Sequence, residues 1–312
     1  MPRQVSTKPR SARRLVAAVV AVSFAAAFGP VRAAVATESD DARVATTTLT
    51  LVDTTRSTPA TAEQPAENRR VLETTIRYPR RVAQPLPLIV LAHGLNGHPD
   101  QLDDLMDSWA VAGYVVAAPR FPRVNVDAKG KAVLADAAEY PADLSFVIDQ
   151  VLVANRDPSS PLHGLVDPTR IGAAGISLGG MSVYGLISNT CCIDRRIDAA
   201  ILMSAVRPEF PTGVYQAQSM PVMLLHGDAD TGYHWSVGVY PKLAAPKWFV
   251  TLRGGRHGPP FEDAPDEHDA FVQATTVAFW DRYLKNDRAA ASRIVALVRA
   301  RNGKAKLQRD LG

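Results

Sequence analysis

Ser177 stands in the run Gly175-Ile176-Ser177-Leu178-Gly179, with Gly180 next. The apolar stretch IGAAGI before it reads as a buried strand, and LGGMSVYGLIS after it as a helix. The serine therefore falls on a sharp strand-to-helix turn that lifts its hydroxyl clear of a sheet. Glycines suit the flanking positions because a Cβ would clash in so tight a turn. The start of the helix also favours negative charge developing at the serine. A serine hydroxyl is a weak nucleophile by itself. It needs a base to take its proton and a third group to orient that base.

His257 is the candidate base. It lies in Gly254-Gly255-Arg256-His257-Gly258 after the strand-like WFVTL, where glycines on both sides let the loop carry the imidazole back over a sheet edge. The other histidines fit the role less well. His268, in Asp266-Glu267-His268-Asp269, reads as a solvated helix start, and His234 sits on the helix that follows the candidate acid. His163 precedes the serine, and His98 belongs to an earlier loop. The acid is sought in His226-Gly227-Asp228-Ala229-Asp230 after VMLL, where two aspartates compete and His226 reads as structural. Acyl transfer also needs N–H donors aimed at the developing oxyanion. The backbone of Leu178 supplies one. Leu95, in His93-Gly94-Leu95-Asn96-Gly97, supplies the other, from the loop after the buried run at 88–92.

These loops need a frame. Val44 to Val52 and Val71 to Tyr78 alternate with β-branched residues and read as paired strands. From residue 88 onward, strands (88–92, 114–118, 171–176, 199–203, 222–225, 248–252) alternate with helices (100–112, 142–154, 178–188, 270–284). That alternation predicts an α/β architecture with a mostly parallel central sheet and helices on both faces. Ser204 to Pro221 leaves no room for a large cap domain, and no repeat or second core is evident. Phe210, Tyr215, Tyr233 and Trp235 are candidates either to line an open site or to pack beside it.

The 312 residues carry 35 Lys+Arg against 31 Asp+Glu, a net charge of +4. The excess is not spread evenly. Arg3, Lys8, Arg10, Arg13, Arg14 and Arg32 fall within the first 36 residues, which hold no acid; setting them aside leaves 29 basic residues against 31 acidic. Leu15 to Phe28 is apolar and small, and Ala34-Val35-Ala36 offers a cleavage site. This is the layout of a secretory signal, by the general route or, given Arg13-Arg14, the twin-arginine one. The basic character belongs to that leader, so no nucleic-acid partner is expected. No apolar run reaches the roughly 18–20 residues of a membrane span, so no stable membrane insertion is expected. The division read is a signal at 1–36, a polar segment at 37–43, one domain at 44–285 and a helical tail at 286–312. A monomer is expected. Cys191 and Cys192 are adjacent and are the only cysteines. Consecutive Cα atoms sit about 3.8 Å apart, closer than most disulfides accept, so a reduced pair outside the chemistry is the first expectation and a vicinal bridge the second.

Taken together, LAHGLNG, DPTRIGAAGISLGG, PVMLLHGDAD and GGRHG resemble the α/β-hydrolase superfamily over roughly residues 44–285. Within it the likeness is to the secreted serine esterase branch near dienelactone hydrolases, platelet-activating-factor acetylhydrolase-like enzymes and cutinase-like polyester hydrolases. The resemblance implies a serine, acid and histidine in that chain order. It selects Asp230, the aspartate of the H-G-x-x-D pattern, as the acid. It implies no metal and no organic cofactor, and cleavage of a small-molecule or polymeric carboxylic ester. A serine peptidase, a phospholipase or acetylhydrolase on the same fold, and a catalytically inactive binding protein are the alternatives. Two residues depart from the pattern. Ser177 stands where dienelactone hydrolases commonly have cysteine, and Leu95 where polyester hydrolases often have an aromatic residue.

Overall fold

The computed structural model describes residues 32–33, 43–207 and 210–312. A short strand β1 (Arg32–Ala33) precedes β2 (Val44–Asp53) and β3 (Arg70–Pro79). In β2 and β3 buried and half-exposed positions alternate, as period-two Thr/Val-rich segments do when one face meets a core. The apolar run LPLIVLA forms β4 (Leu86–Ala92), which is buried on both faces. A 3-10 turn, capped by the side chain of His98 on the Asp100 N–H, leads into α1 (Asp103–Val111). Then follow β5 (Val115–Arg120), α2 (Tyr140–Arg156), β6 (Val166–Ile176), α3 (Leu178–Ser188), β7 (Ile197–Met203) and β8 (Val222–Gly227). The chain ends with α4 (Tyr233–Val239), β9 (Lys247–Leu252), α5 (Asp269–Leu284), α6 (Ala290–Ala300) and β10 (Ala305–Asp310).

All ten strands join one mixed sheet in the order β1-β2-β3-β5-β4-β6-β7-β8-β9-β10. The ladders from β5 through β9 are parallel, whereas β1, β2 and β3 at one side and β10 at the other are antiparallel. Side chains of each central strand point alternately to two cores. Leu88 and Val90 of β4 pack with Leu144, Val147 and Val151 of α2, and Ile89 and Leu91 with Met106 and Trp109 of α1 and Trp280 of α5. Each such side chain contributes about 1.5–3 kcal/mol on full burial. The architecture is thus α/β, with helices covering both faces of the sheet. No helix among the described residues is long and apolar enough to cross a membrane.

Several expectations need comment. The proposed signal at 1–36 and the polar segment at 37–43 lie outside the described residues, apart from Arg43 and the pair Arg32–Ala33, which faces Thr50 and Leu49. The tail from 286 is not helical throughout. The apolar stripe does form α6, with Ile294 fully buried, but Ala305–Asp310 is a strand paired along its whole length with β9. Its alternation, AKLQRD, is too polar to read as a strand, because only Ala305 is buried. Between β7 and β8 the described residues hold no helix.

One buried ion cluster ties β3 to α2. The Arg70 side chain is inaccessible; its Nε and one terminal nitrogen bond Asp143 at 2.8 and 2.7 Å, and its terminal nitrogens reach Asp136 at 2.7 and 3.2 Å. Arg56 also pairs with Asp143, at 2.8 Å. Arg70→Met should therefore leave buried carboxylates without their fork and cost about 3–5 kcal/mol in denaturant unfolding. Arg70→Lys should recover only part of that, since one ammonium cannot make two bidentate pairs. A loss below about 1 kcal/mol would show that the cluster is not a keystone.

Candidate active site

The turn between β6 and α3 holds Ser177 at φ 55°, ψ −116°. This is a conformation most residues avoid, at a cost of about 1–3 kcal/mol. Backbone bonds pin it: the Ser177 N–H donates to the Met203 carbonyl at 2.9 Å, and the Met181 N–H donates to the Ser177 carbonyl at 3.0 Å. The turn is possible only because its flanks lack side chains. A Cβ on Gly175 would lie 2.3 Å from the Gly179 carbonyl oxygen, and one on Gly179 would lie 2.2 Å from that of Ala92.

His257, in the loop after β9, approaches from the neighbouring end of the sheet. The Ser177 hydroxyl donates to its Nε2 at 2.7 Å, and its Nδ1–H donates to Asp230 Oδ2 at 2.5 Å. Asp230 lies in the loop after β8, and its Oδ1 accepts the Gly232 N–H at 2.8 Å. Burial alone would raise the Asp230 pKa, but the bonds from Gly232, His257 and His226 outweigh it and hold the carboxyl below its usual range. Asp228 faces elsewhere. Its carboxylate takes the Gly254 N–H at 2.7 Å and Arg253 at 2.9 Å, bracing the loop rather than meeting the imidazole.

The loop after β4 lies against the serine, since a Cβ on Gly94 would sit 3.2 Å from that of Ser177. Asn96, at φ 55°, and its bond to the Val124 carbonyl shape the loop. Neither the Leu95 nor the Leu178 N–H has a protein acceptor among the described residues. Leu178 is buried and Leu95 exposed. His93 anchors this loop from beneath. Its Nδ1–H donates to the Gly94 carbonyl at 2.7 Å, and its Nε2 accepts the Phe121 N–H at 3.1 Å. That arrangement requires a neutral ring. Burial, opposed by the Gly94 bond and assisted by the charges of His98 and Arg120, lowers the His93 pKa to about 4.

Three features were not legible in the sequence. His226 is fully buried and its Nε2–H donates to Asp230 Oδ2 at 2.8 Å. The spacing of four residues in H-G-x-x-D was the available signal. His268 is not a solvated helix start. It is buried, donates from Nε2 to the Arg253 carbonyl at 3.1 Å and accepts from Arg301 at Nδ1, 3.2 Å away. With the Arg253 N–H bonded to the Lys304 carbonyl at 2.9 Å, it braces the strand end that leads to His257. Lastly, Cys191 and Cys192 form a disulfide rather than the reduced pair expected first. It sits in the turn beyond α3 that Asn189 organises by accepting the Cys191 and Cys192 N–H groups.

The aromatic candidates divide. Tyr215 stacks on Tyr184 of α3 at 4.9 Å, Trp235 meets Tyr184 edge-on at 5.7 Å, and Phe210 borders Tyr215. Tyr184 is seven residues past Ser177, two turns along the same helix face. Tyr233 instead packs against His226 and Phe249, with its hydroxyl on Thr251.

His226, Asp230 and His257 bring ligating atoms within 4.8 Å of one another, a grouping a metal could use. In the hydrogen-bonded arrangement both facing nitrogens carry protons, and a metal needs them bare. Chemically, the site offers a hydroxyl bonded to an imidazole, a carboxylate behind that imidazole and free N–H groups beside the hydroxyl. No protein-family model and no curated protein matches this chain.

His93 makes acid stability a test. Its folded pKa of about 4 lies below the reference 6.5, so the unfolded chain takes up a proton first as pH falls. Unfolding free energy should decline by about 3 kcal/mol between roughly pH 6.5 and 4 from this group. His93→Gln should flatten that part of the profile. An unchanged slope in the variant would place the acid sensitivity elsewhere.

Proposed function

We propose that this chain is a serine hydrolase of the α/β-hydrolase superfamily that cleaves carboxylic esters through an acyl-enzyme. The observation that carries the reading is the unbroken chain from the Ser177 hydroxyl to His257 Nε2 and from His257 Nδ1 to Asp230, at 2.7 and 2.5 Å. Its setting supports it. The serine, acid and histidine follow β6, β8 and β9 at the carboxyl ends of parallel strands, where open α/β sheets hold their sites.

In this reading His257 takes the Ser177 proton as the oxygen attacks the ester carbonyl. The Leu95 and Leu178 N–H groups stabilise the oxyanion. The alkoxide leaves with the proton from His257. Water, deprotonated by the same imidazole, then frees the acid and restores the serine. Asp230 keeps the imidazole in the Nδ1–H tautomer and stabilises its cation. The leader of basic and apolar residues supports export, and an oxidising compartment suits the Cys191–Cys192 bond.

Ser177→Ala should lose p-nitrophenyl ester hydrolysis by several orders of magnitude while keeping its fold. A fluorophosphonate probe should label the native protein and not the variant; labelling that persists would move the nucleophile. Asp230→Asn should lose roughly ten-thousand-fold in kcat. Asp228→Asn, which touches only the brace on Arg253 and Gly254, should stay within about tenfold of the native rate. A reversal of those two results would reassign the acid. Faster turnover of matched amides than of esters would turn the reading toward a peptidase.

A further inference from the structure

One carboxylate oxygen in this protein serves two imidazoles. Asp230 Oδ2 accepts His257 Nδ1–H at 2.5 Å on one side and His226 Nε2–H at 2.8 Å on the other. Each imidazole has a serine at its far nitrogen: Ser177 at 2.7 Å from His257 Nε2, and Ser236 at 2.7 Å from His226 Nδ1. The two arms mirror each other in residue types and differ in access. His226 and Ser236 are inaccessible to solvent, whereas His257 is half-exposed. The inner arm can meet no substrate, so its role must act through Asp230.

We propose that His226 is a positioning residue for the reaction, aiming Asp230 and sharing its charge, with Ser236 fixing the tautomer that lets it do so; this rests on the hydrolase reading above. The proton positions follow from the partners. An ionised Asp230 can only accept, so His226 Nε2 carries the hydrogen. The ring is neutral, because burial opposes its cation and outweighs the pull of Asp230. Its Nδ1 is then a bare acceptor, and the Ser236 hydroxyl donates to it. With Gly232 on Oδ1 and two imidazoles on Oδ2, the carboxylate cannot rotate without losing a bond. The second N–H also draws on the negative charge that His257 feels. Without it, Asp230 would present more of its negative charge to His257 and favour the cation more strongly.

The surroundings leave Asp230 as the partner through which His226 acts. On β9, Thr251 pairs in register with His226 and bonds the Tyr233 hydroxyl. On the β7 side Ser204 is buried. On α4, the charge of His234 works with that of His257 against protonation of His226. Beside His257, Glu262 is a further ionisable group, its carboxyl raised by burial against the pull of the His257 charge.

The test compares kcat/KM against pH on p-nitrophenyl acetate for the native protein, His226→Phe, His226→Gln and Ser236→Ala. His226→Phe keeps the ring volume and removes the donor. It should lower kcat about 10- to 100-fold with little change in KM, and move the acid limb upward by about half a unit. His226→Gln, whose amide nitrogen reaches the place of Nε2, should restore most of both. Ser236→Ala should shift the limb the same way by less. A native rate and limb in His226→Phe would overturn the proposal, as would His226→Gln falling as far as Phe. Should His226→Phe fail to fold, a limb unmoved in Ser236→Ala overturns it. A native protein inert to esters and fluorophosphonate would sink the hydrolase reading instead. In the active protein, the nitrogen NMR spectrum of labelled histidine tests the tautomer apart from turnover: Nε2–H at His226 supports the inference, and Nδ1–H overturns it.

Discussion

Everything in the site is arranged around a backbone held where backbones seldom rest. At Ser177 the chain leaves β6, reverses its sense within one residue and begins α3, and the unfavourable φ of 55° persists because neighbours on three sides fix it. The Met203 carbonyl of the adjacent strand holds its N–H, and the first turn of α3 holds its carbonyl. The end of β4 comes so close that nothing larger than hydrogen fits at Gly179. A turn so constrained points the hydroxyl in one direction. The loops after β4, β8 and β9 have only to converge on that fixed point, and the parallel register of their strands brings their ends to the same edge of the sheet.

What the sequence revealed and what it hid separate along physical lines. Ser177, His93 with its neighbouring glycines, and the buried run at 88–92 were legible because each is a local pattern: tight turns demand glycine, and doubly buried strands demand unbroken apolar runs. Asp230 was legible only with the help of a resemblance, since two aspartates share its loop and spacing cannot say which one turns inward. His226 was rightly read as structural, but its partners were hidden, and His268 was misread as solvated, for a shared reason. A histidine is buried when partners wait for both nitrogens, and those partners, Asp230 with Ser236 and Arg253 with Arg301, come partly from segments distant in the chain. The strand β10 was hidden because it lies at a sheet margin where most side chains face water. The Cys191–Cys192 bond was placed second because spacing statistics weigh against neighbours, while the turn at Asn189 that brings the pair together is a matter of backbone conformation.

Burial is used in two opposite ways in this protein. At His93 and His226 it keeps imidazoles neutral, so that each can donate from one nitrogen and accept at the other. At Arg70 the charge is kept, because Asp136 and Asp143 occupy its fork from both sides. The neutral rings lie where the loops of the site must be oriented, and the charged cluster lies where β3 must be fastened to α2. The half-exposed His257 differs from all of them in standing partly in water.

The pairing of β10 with β9 has a consequence for how the molecule comes into being. A ribosome delivers Ser177 well before it delivers the residues that steady His257, since Arg301, Lys304 and β10 all follow both in the chain. Until then β9 is an open sheet margin, with the free N–H and C=O groups through which nascent chains stick to one another. The elbow can therefore exist before the site does. A molecule stalled before Ala305 would carry the Ser177 turn without the strand that braces β9 and the loop of His257, so the order of translation is also the order in which the site is put together.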